Sequence, residues 1–310
     1  MKRYALVGCL IAFAGCQSFI DNKAADATIK LMQRSKDAGK RTPDVELARE
    51  ALPGGILQLQ AFALAYPDRR EFKVMHADAL CSYATGFVFD DWDAAKLEGR
   101  DQDAKKIGVR VKSLARECVE ANLDLMPKEW RADHETGGDA WTARIASTKP
   151  DQVPQLLSIT GADALQIALS PLSAITKIGP ITAALEKSIA LKPGFHDNQA
   201  ELMLATVQAN KSQFLGGPDG GLLFAKIRAA QGDGALLTEV MYARGTLVAK
   251  KDRAGFETTL NKVLDADVTK WPDRRLTNEI ARMKAQRYLD AEDKIIPPPA
   301  PAEPPPAAQE

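Results

Sequence analysis

Histidine and cysteine are scarce in this sequence, with three and four residues respectively in a chain of 310. They are scattered, with no His-Glu-x-x-His helix and no Cys-x-x-Cys pair. The ligand sets of zinc sites and the imidazole bases of hydrolytic triads are therefore not expected, and neither is a metal site of any kind. Net charge is missing too, because 41 basic side chains balance 41 acidic ones. Without a concentrated basic block there is no electrostatic footprint for a phosphate backbone, so nucleic acid is not an expected partner. No Gly-x-Ser-x-Gly nucleophile elbow occurs. The run Gly216-Gly217-Pro218-Asp219-Gly220-Gly221 lacks the Gly-Lys-Ser/Thr ending of a phosphate cradle. It reads as a helix-breaking turn, and no cofactor is expected.

An uninterrupted apolar run of about 20 residues, the length that crosses a bilayer as a helix, is also lacking. Val153 to Ile181 is strongly apolar but is broken by Pro154, Gly161, Asp163, Pro171, Lys177, Gly179 and Pro180. It reads as buried central helices. Tyr4 to Gly15 is shorter still and follows Lys2 and Arg3, which is the build of a secretory signal peptide over residues 1–15. This segment ends in Phe13-Ala14-Gly15-Cys16 and resembles a bacterial lipobox. Leu6-Val7-Gly8-Cys9 fits the tetrapeptide better, but cleavage there would leave too short a hydrophobic region. Cys16 is thus the expected lipidation site, and its acyl chains are the expected membrane anchor. By resemblance to bacterial lipoproteins, Gln17 rather than an aspartate after that cysteine favours the outer membrane over the inner, with the body facing the periplasm. Loss of Lys2 and Arg3 leaves a slightly acidic mature chain.

With Cys9 removed and Cys16 acylated, Cys81 and Cys118 remain in an oxidising compartment where a disulfide between them is permitted. Each also lies in an apolar helical stripe, where a free cysteine packs as a small hydrophobe. Sequence separation does not choose between these readings.

What the chain has in abundance is helical periodicity. Val111, Leu114, Ala115, Cys118, Ala121, Asn122 and Leu125 draw one stripe over five turns, and similar stripes run through the segments at Phe72, Met203 and Leu236. Strand alternation is hardly seen, so the class is all-α. The Phe72 segment and the segment at Leu276 each carry a second apolar stripe, as expected where a helix is sandwiched in a solenoid of helical hairpins. Leu64-Ala65-Tyr66-Pro67, Leu125-Met126-Pro127 and Leu191-Lys192-Pro193-Gly194 each end one helical pattern and lead into another.

On the tetratricopeptide template, Ala115, Val119 and Asn122 fit second-helix positions before Pro127, and Ile181, Leu185 and Ser188 fit those before Pro193. The first-helix signature is unclear. Residues 45–296 therefore read as a degenerate tetratricopeptide-like helical domain with insertions at Asp90 to Gly108 and Lys128 to Gly161. Residues 16–44 form a tether and first helix. Residues 297–310 hold seven of the 18 prolines and form an extended, Pro-rich disordered tail.

Several segments resemble one family. They are Gly216 to Lys226, Val240-Met241-Tyr242-Ala243-Arg244, Asp252-Arg253-Ala254-Gly255-Phe256-Glu257 and Arg275 to Ala285. Ala65-Tyr66-Pro67-Asp68 with Ala79, Tyr83 and Phe87, and Ala183 to Phe195, fit the same pattern upstream. Together they are similar to the T component of tetratricopeptide-associated TRAP transporters, the TatT family of bacterial lipoproteins. That resemblance implies a lipid-anchored helical scaffold that binds a periplasmic solute-binding protein, assembles as a homo-oligomer, and holds a hydrophobic or organic-acid ligand. It implies no catalytic residues. The chain departs from the family between Arg131 and Pro180, where a Trp-rich helix is usual and Trp141 stands alone.

Individual candidates are few. His76 occupies a core-facing position, while His134 and His196 lie beside Asp133 and Asp197 in polar connections. Asp90, Asp91 and Asp93 around Trp92 lack the glycine and terminal glutamate of a calcium loop and read as a solvated loop. Tyr83, Phe87, Phe89 and Trp92 cluster at one helix end. As core they need no further role; as a groove they would bind an apolar ligand or partner segment. Tyr83, Phe87, Trp92 and Trp141 are the candidate binding residues. The expected function is an accessory scaffold in solute uptake, with a scaffold of outer-membrane or cell-wall assembly as the alternative and no enzymatic activity.

Overall fold

The computed structural model of the chain describes residues 4–170, 174–215 and 220–298. Among these, every regular element is helical and no strand occurs. The order is α1 (Tyr4–Arg41), α2 (Val45–Ala65), α3 (Arg70–Tyr83), α4 (Phe89–Leu97), α5 (Asp101–Leu123), α6 (Lys128–Thr136), α7 (Gly138–Ala146) and α8 (Val153–Leu169). It continues with α9 (Ala174–Leu191), α10 (Phe195–Leu215), α11 (Gly220–Gln231), α12 (Leu236–Tyr242), α13 (Val248–Lys250), α14 (Arg253–Asp265), α15 (Arg275–Asp290) and α16 (Glu292–Ile295).

Local chemistry explains the boundaries. Asp44 caps α2 by accepting from the Leu47 amide at 2.9 Å, and Asp252 caps α14 through the Gly255 amide at 2.9 Å. Pro67, Pro127 and Pro193 follow the ends of α2, α5 and α9, as the sequence predicts. Gly137, with φ 68°, ends α6, and Gly138, with φ 53°, opens α7, so a left-handed turn folds one short helix back beside the other.

The predicted α5 stripe is a packed face, whereas in α10 the buried apolar residues among those described are Ala200, Leu204, Ala205 and Ala209 rather than the Met203 stripe, whose Asn210 is exposed. Val111, Ala115, Cys118, Asn122 and Leu125 are all buried, and so are all six residues placed on tetratricopeptide positions near Pro127 and Pro193. α2 lies on α3, α5 on α8, α8 on α9, α9 on α10, α10 on α11 and α14 on α15. Cys81 of α3 and Cys118 of α5 are joined in a disulfide, with Cα atoms 5.2 Å apart. The Asn122 amide donates to the Cys118 carbonyl at 2.9 Å beside that bond.

The two segments expected as insertions are themselves helical. The stretch from Asp90 to Gly108 forms most of α4 and the start of α5. Likewise Lys128 to Gly161 contributes α6, α7 and half of α8. α15 also packs on α1 and α2.

The array also repeats one local irregularity. Tyr83-Ala84-Thr85-Gly86 and Tyr242-Ala243-Arg244-Gly245 each lead into a single π-helical turn, at Ala84–Val88 and Ala243–Leu247. A π turn takes in an extra residue, so everything after it is rotated by about 100° from the α-helical register.

On α1, which runs without a break past residue 16, the side chain of Cys16 lies outside the described residues, as do residues 216–219 of the glycine run and residues 299–310 of the tail.

Candidate functional site

The clustered aromatics Tyr83, Phe87, Phe89 and Trp92 lie around the first π turn. Tyr83 and Phe87 are buried, their rings 6.1 Å apart, in the core formed with Val88, Val111 and Ala115. Arg110 donates to the Tyr83 hydroxyl at 2.9 Å and covers its ring, and the Arg49 guanidinium lies 5.2 Å from the centre of Phe87. Trp92 stacks on Phe89 at 5.3 Å and lies across Gly108, where an added Cβ would come within 3.5 Å of the indole. These residues hold α3, α4 and α5 together.

The acidic group nearby is not a solvated loop. Asp90 is buried and accepts hydrogen bonds from Lys284 and Arg287 of α15, the latter at 2.8 Å to Oδ2. Burial pushes its pKa up, but the Arg287 hydrogen bond and the charges of Lys284 and Arg287 outweigh this and hold it below the ordinary carboxylate range. Asp93 accepts from the Tyr288 hydroxyl at 2.9 Å, and Asp91 pairs with Arg49 of α2. All three carboxylates are engaged in joining α4 to α2 and α15.

Trp141 lies elsewhere, beside a real cavity. A space of about 220 Å3 opens between α6, α7, α8 and α9, lined by His134, Trp141, Thr160, Asp163, Lys177 and Ile181 among others. Trp141 meets Trp130 edge-on at 5.6 Å, and the His134 ring stands edge-on to Trp141 at 4.9 Å. His134 Nε2 is 3.1 Å from Asp163 Oδ2, and Lys177 Nζ is 3.9 Å from Oδ1 of the same carboxylate. His134 is therefore part of this wall and not of a polar connection. Of the four aromatic candidates, only Trp141 reaches the cavity. In the sequence Asp163 shows only as a charge interrupting an apolar run, and that interruption is the one local clue to its place in the wall.

A second exposed feature is the outer face of α2, where Leu47, Gly54, Leu57, Ala61 and Leu64 follow one another at helical spacing. Leu57 is 67 % exposed and Leu64 77 %. Among the described residues no group of His, Cys, Asp and Glu is arranged to hold a metal ion, and no helix is long and apolar enough to cross a membrane.

The family model for the TRAP transporter T-component, TAtT, matches residues 41–296. The chain belongs to this family. The T-component match begins just before α2 and ends at Ile296, so it takes in the cavity, the α2 face and the α4–α15 junction alike. As a T component the chain is an accessory of a TRAP transporter and a part of the cell envelope. No curated protein matches it significantly.

Proposed function

We propose that this T component is a periplasm-facing scaffold, anchored by a lipid on Cys16, that binds the solute-binding protein of its transporter and a ligand in the Trp141 cavity. The observation that carries the reading is the family match across the whole helical body from residue 41 to residue 296. In this layout residues 1–15 are removed on export, residues 16–44 tether the body, and residues 297–310 trail from it. Gln17 after the acylated cysteine favours the outer membrane. The leucine face of α2 supplies apolar surface of the kind that protein interfaces bury.

The test is a pull-down with the solute-binding protein encoded beside this chain. Capture of that protein, lost when Leu57→Glu and Leu64→Glu are introduced together, supports the assignment. Failure to capture it, with recovery of outer-membrane or cell-wall assembly factors instead, overturns the transport reading. Mass spectrometry of the mature amino terminus checks the anchor: the expected species begins at acylated Cys16, and Cys16→Ala releases the protein into the soluble fraction.

A further inference from the structure

The Trp141 cavity presents two opposite charges to the same small space. Asp163 projects from α8 with its side chain only 11 % exposed, while Lys177 of α9 is 44 % exposed. Their closest approach, 3.9 Å, is beyond hydrogen-bond distance, so the pair attracts without a direct bond between the two groups. Lysine has a flexible stem and three donors, which lets its ammonium swing away from Asp163 at little cost. His134 holds the other carboxylate oxygen and fixes the direction in which Asp163 faces. Trp141, Pro180 and Ile181 give the cavity apolar wall, and Thr160 and Thr176 add hydroxyl groups.

Charge decides among small solutes here. A monocation drawn to Asp163 meets Lys177 as a like charge, and a monoanion drawn to Lys177 meets Asp163, each leaving one partly buried charge worse paired than before. A zwitterion brings one charge to each and leaves the local sum at zero. The cavity, of about 220 Å3, is of a size for a small solute rather than a macromolecular segment. We propose that the cavity binds a small zwitterionic solute with its ammonium on Asp163, its carboxylate on Lys177, and its carbon chain against Trp141. This deepens the ligand half of the proposed function and is independent of which protein partner the scaffold holds.

Isothermal titration calorimetry on the soluble Cys16→Ser chain at pH 7.5 tests it with three probes: 4-aminobutyrate, butyrate and butylamine. The expected result is binding of 4-aminobutyrate at least tenfold tighter than either single-charge probe, with a loss of tenfold or more in Asp163→Asn and in Lys177→Met. Lys177 is exposed enough that its substitution leaves the fold intact, so Lys177→Met stays informative if Asp163→Asn is unstable. Equal or tighter binding of butyrate or butylamine, no binding of any probe, or unchanged 4-aminobutyrate affinity in Lys177→Met would each overturn the assignment. Capture of the solute-binding protein by Lys177→Met separates the two readings. Retained capture beside failed titration removes the zwitterion site alone, whereas lost capture by the wild-type chain removes the scaffold reading.

Discussion

Asp90 sits between Lys284 and Arg287 with its side chain 5 % exposed, and this one carboxylate ties α4 to α15. Replacing it leaves two largely buried cations without their acceptor, so Asp90→Ala should cost about 3 kcal/mol or more in urea unfolding. Its depressed pKa also sets a pH dependence. The contribution is complete above the unfolded value of about 4 and is lost as pH falls through the lower folded value, so this part of the acid sensitivity should vanish in Asp90→Asn. The Cys81–Cys118 disulfide closes a loop of 37 residues, and Cys81→Ser with Cys118→Ser should lose about 2–4 kcal/mol by denaturant midpoint. At this scale the sequence was legible where a residue sits in a stripe, as with Ala115 or Leu185. It was illegible for Asp90, because no local pattern tells a carboxylate with a cationic partner 194 positions away from one facing water.

Helix α2 passes through Pro53-Gly54-Gly55 without ending, although these are among the strongest helix breakers. Its inner face, with Val45, Ala48 and Ile56 buried, offsets that local cost through packing on α3. Small residues matter elsewhere for the opposite reason. Gly220 opens α11 so close to α10 that an added Cβ would lie 2.4 Å from the Ala205 carbonyl oxygen and 2.9 Å from the Ala209 nitrogen. Gly220→Ala must push the two helices apart, and a loss of about 1–3 kcal/mol is expected in thermal or urea unfolding. The helix-breaking turn expected over Gly216 to Gly221 falls at 216–219 outside the described residues, whereas Gly220 and Gly221 already belong to α11, and the local sequence carries no hint of this contact. The two π turns were missed for a different reason. Each begins at the alanine of a Tyr-Ala-x-Gly tetrapeptide, and the double occurrence of that tetrapeptide is the available clue.

Among the described residues, α15 packs back onto α1, α2 and α4, so helices far apart in the chain meet. His196 stands in a left-handed stretch, His196 to Asn198, that Arg274 clamps through Asp197 at 2.7 Å. Burial lowers its pKa; Asp78 acts against this, and Lys36 and Lys40 of α1 reinforce it. Burial lowers the pKa of His76 as well, partly opposed by Glu117. A folded histidine pKa below the unfolded value of about 6.5 means that unfolding takes up protons as pH falls below that value. Melting temperature should therefore drop between pH 7.5 and 5.5, and the drop should shrink in His196→Gln and in His76→Gln, measured by circular dichroism.

Periodicity and proline punctuation were enough to establish the all-α class and the helix ends, because each depends on residues within a few turns of one another, and the resemblance to the family rested on short matching segments such as Gly216 to Lys226. Which charges are buried, which aromatics face a cavity and how α15 returns to α1, α2 and α4 were decided only in the tertiary structure. Those features join residues far apart in the chain, and the free energy that selects them comes from desolvation and packing between helices, for which a local pattern carries no record.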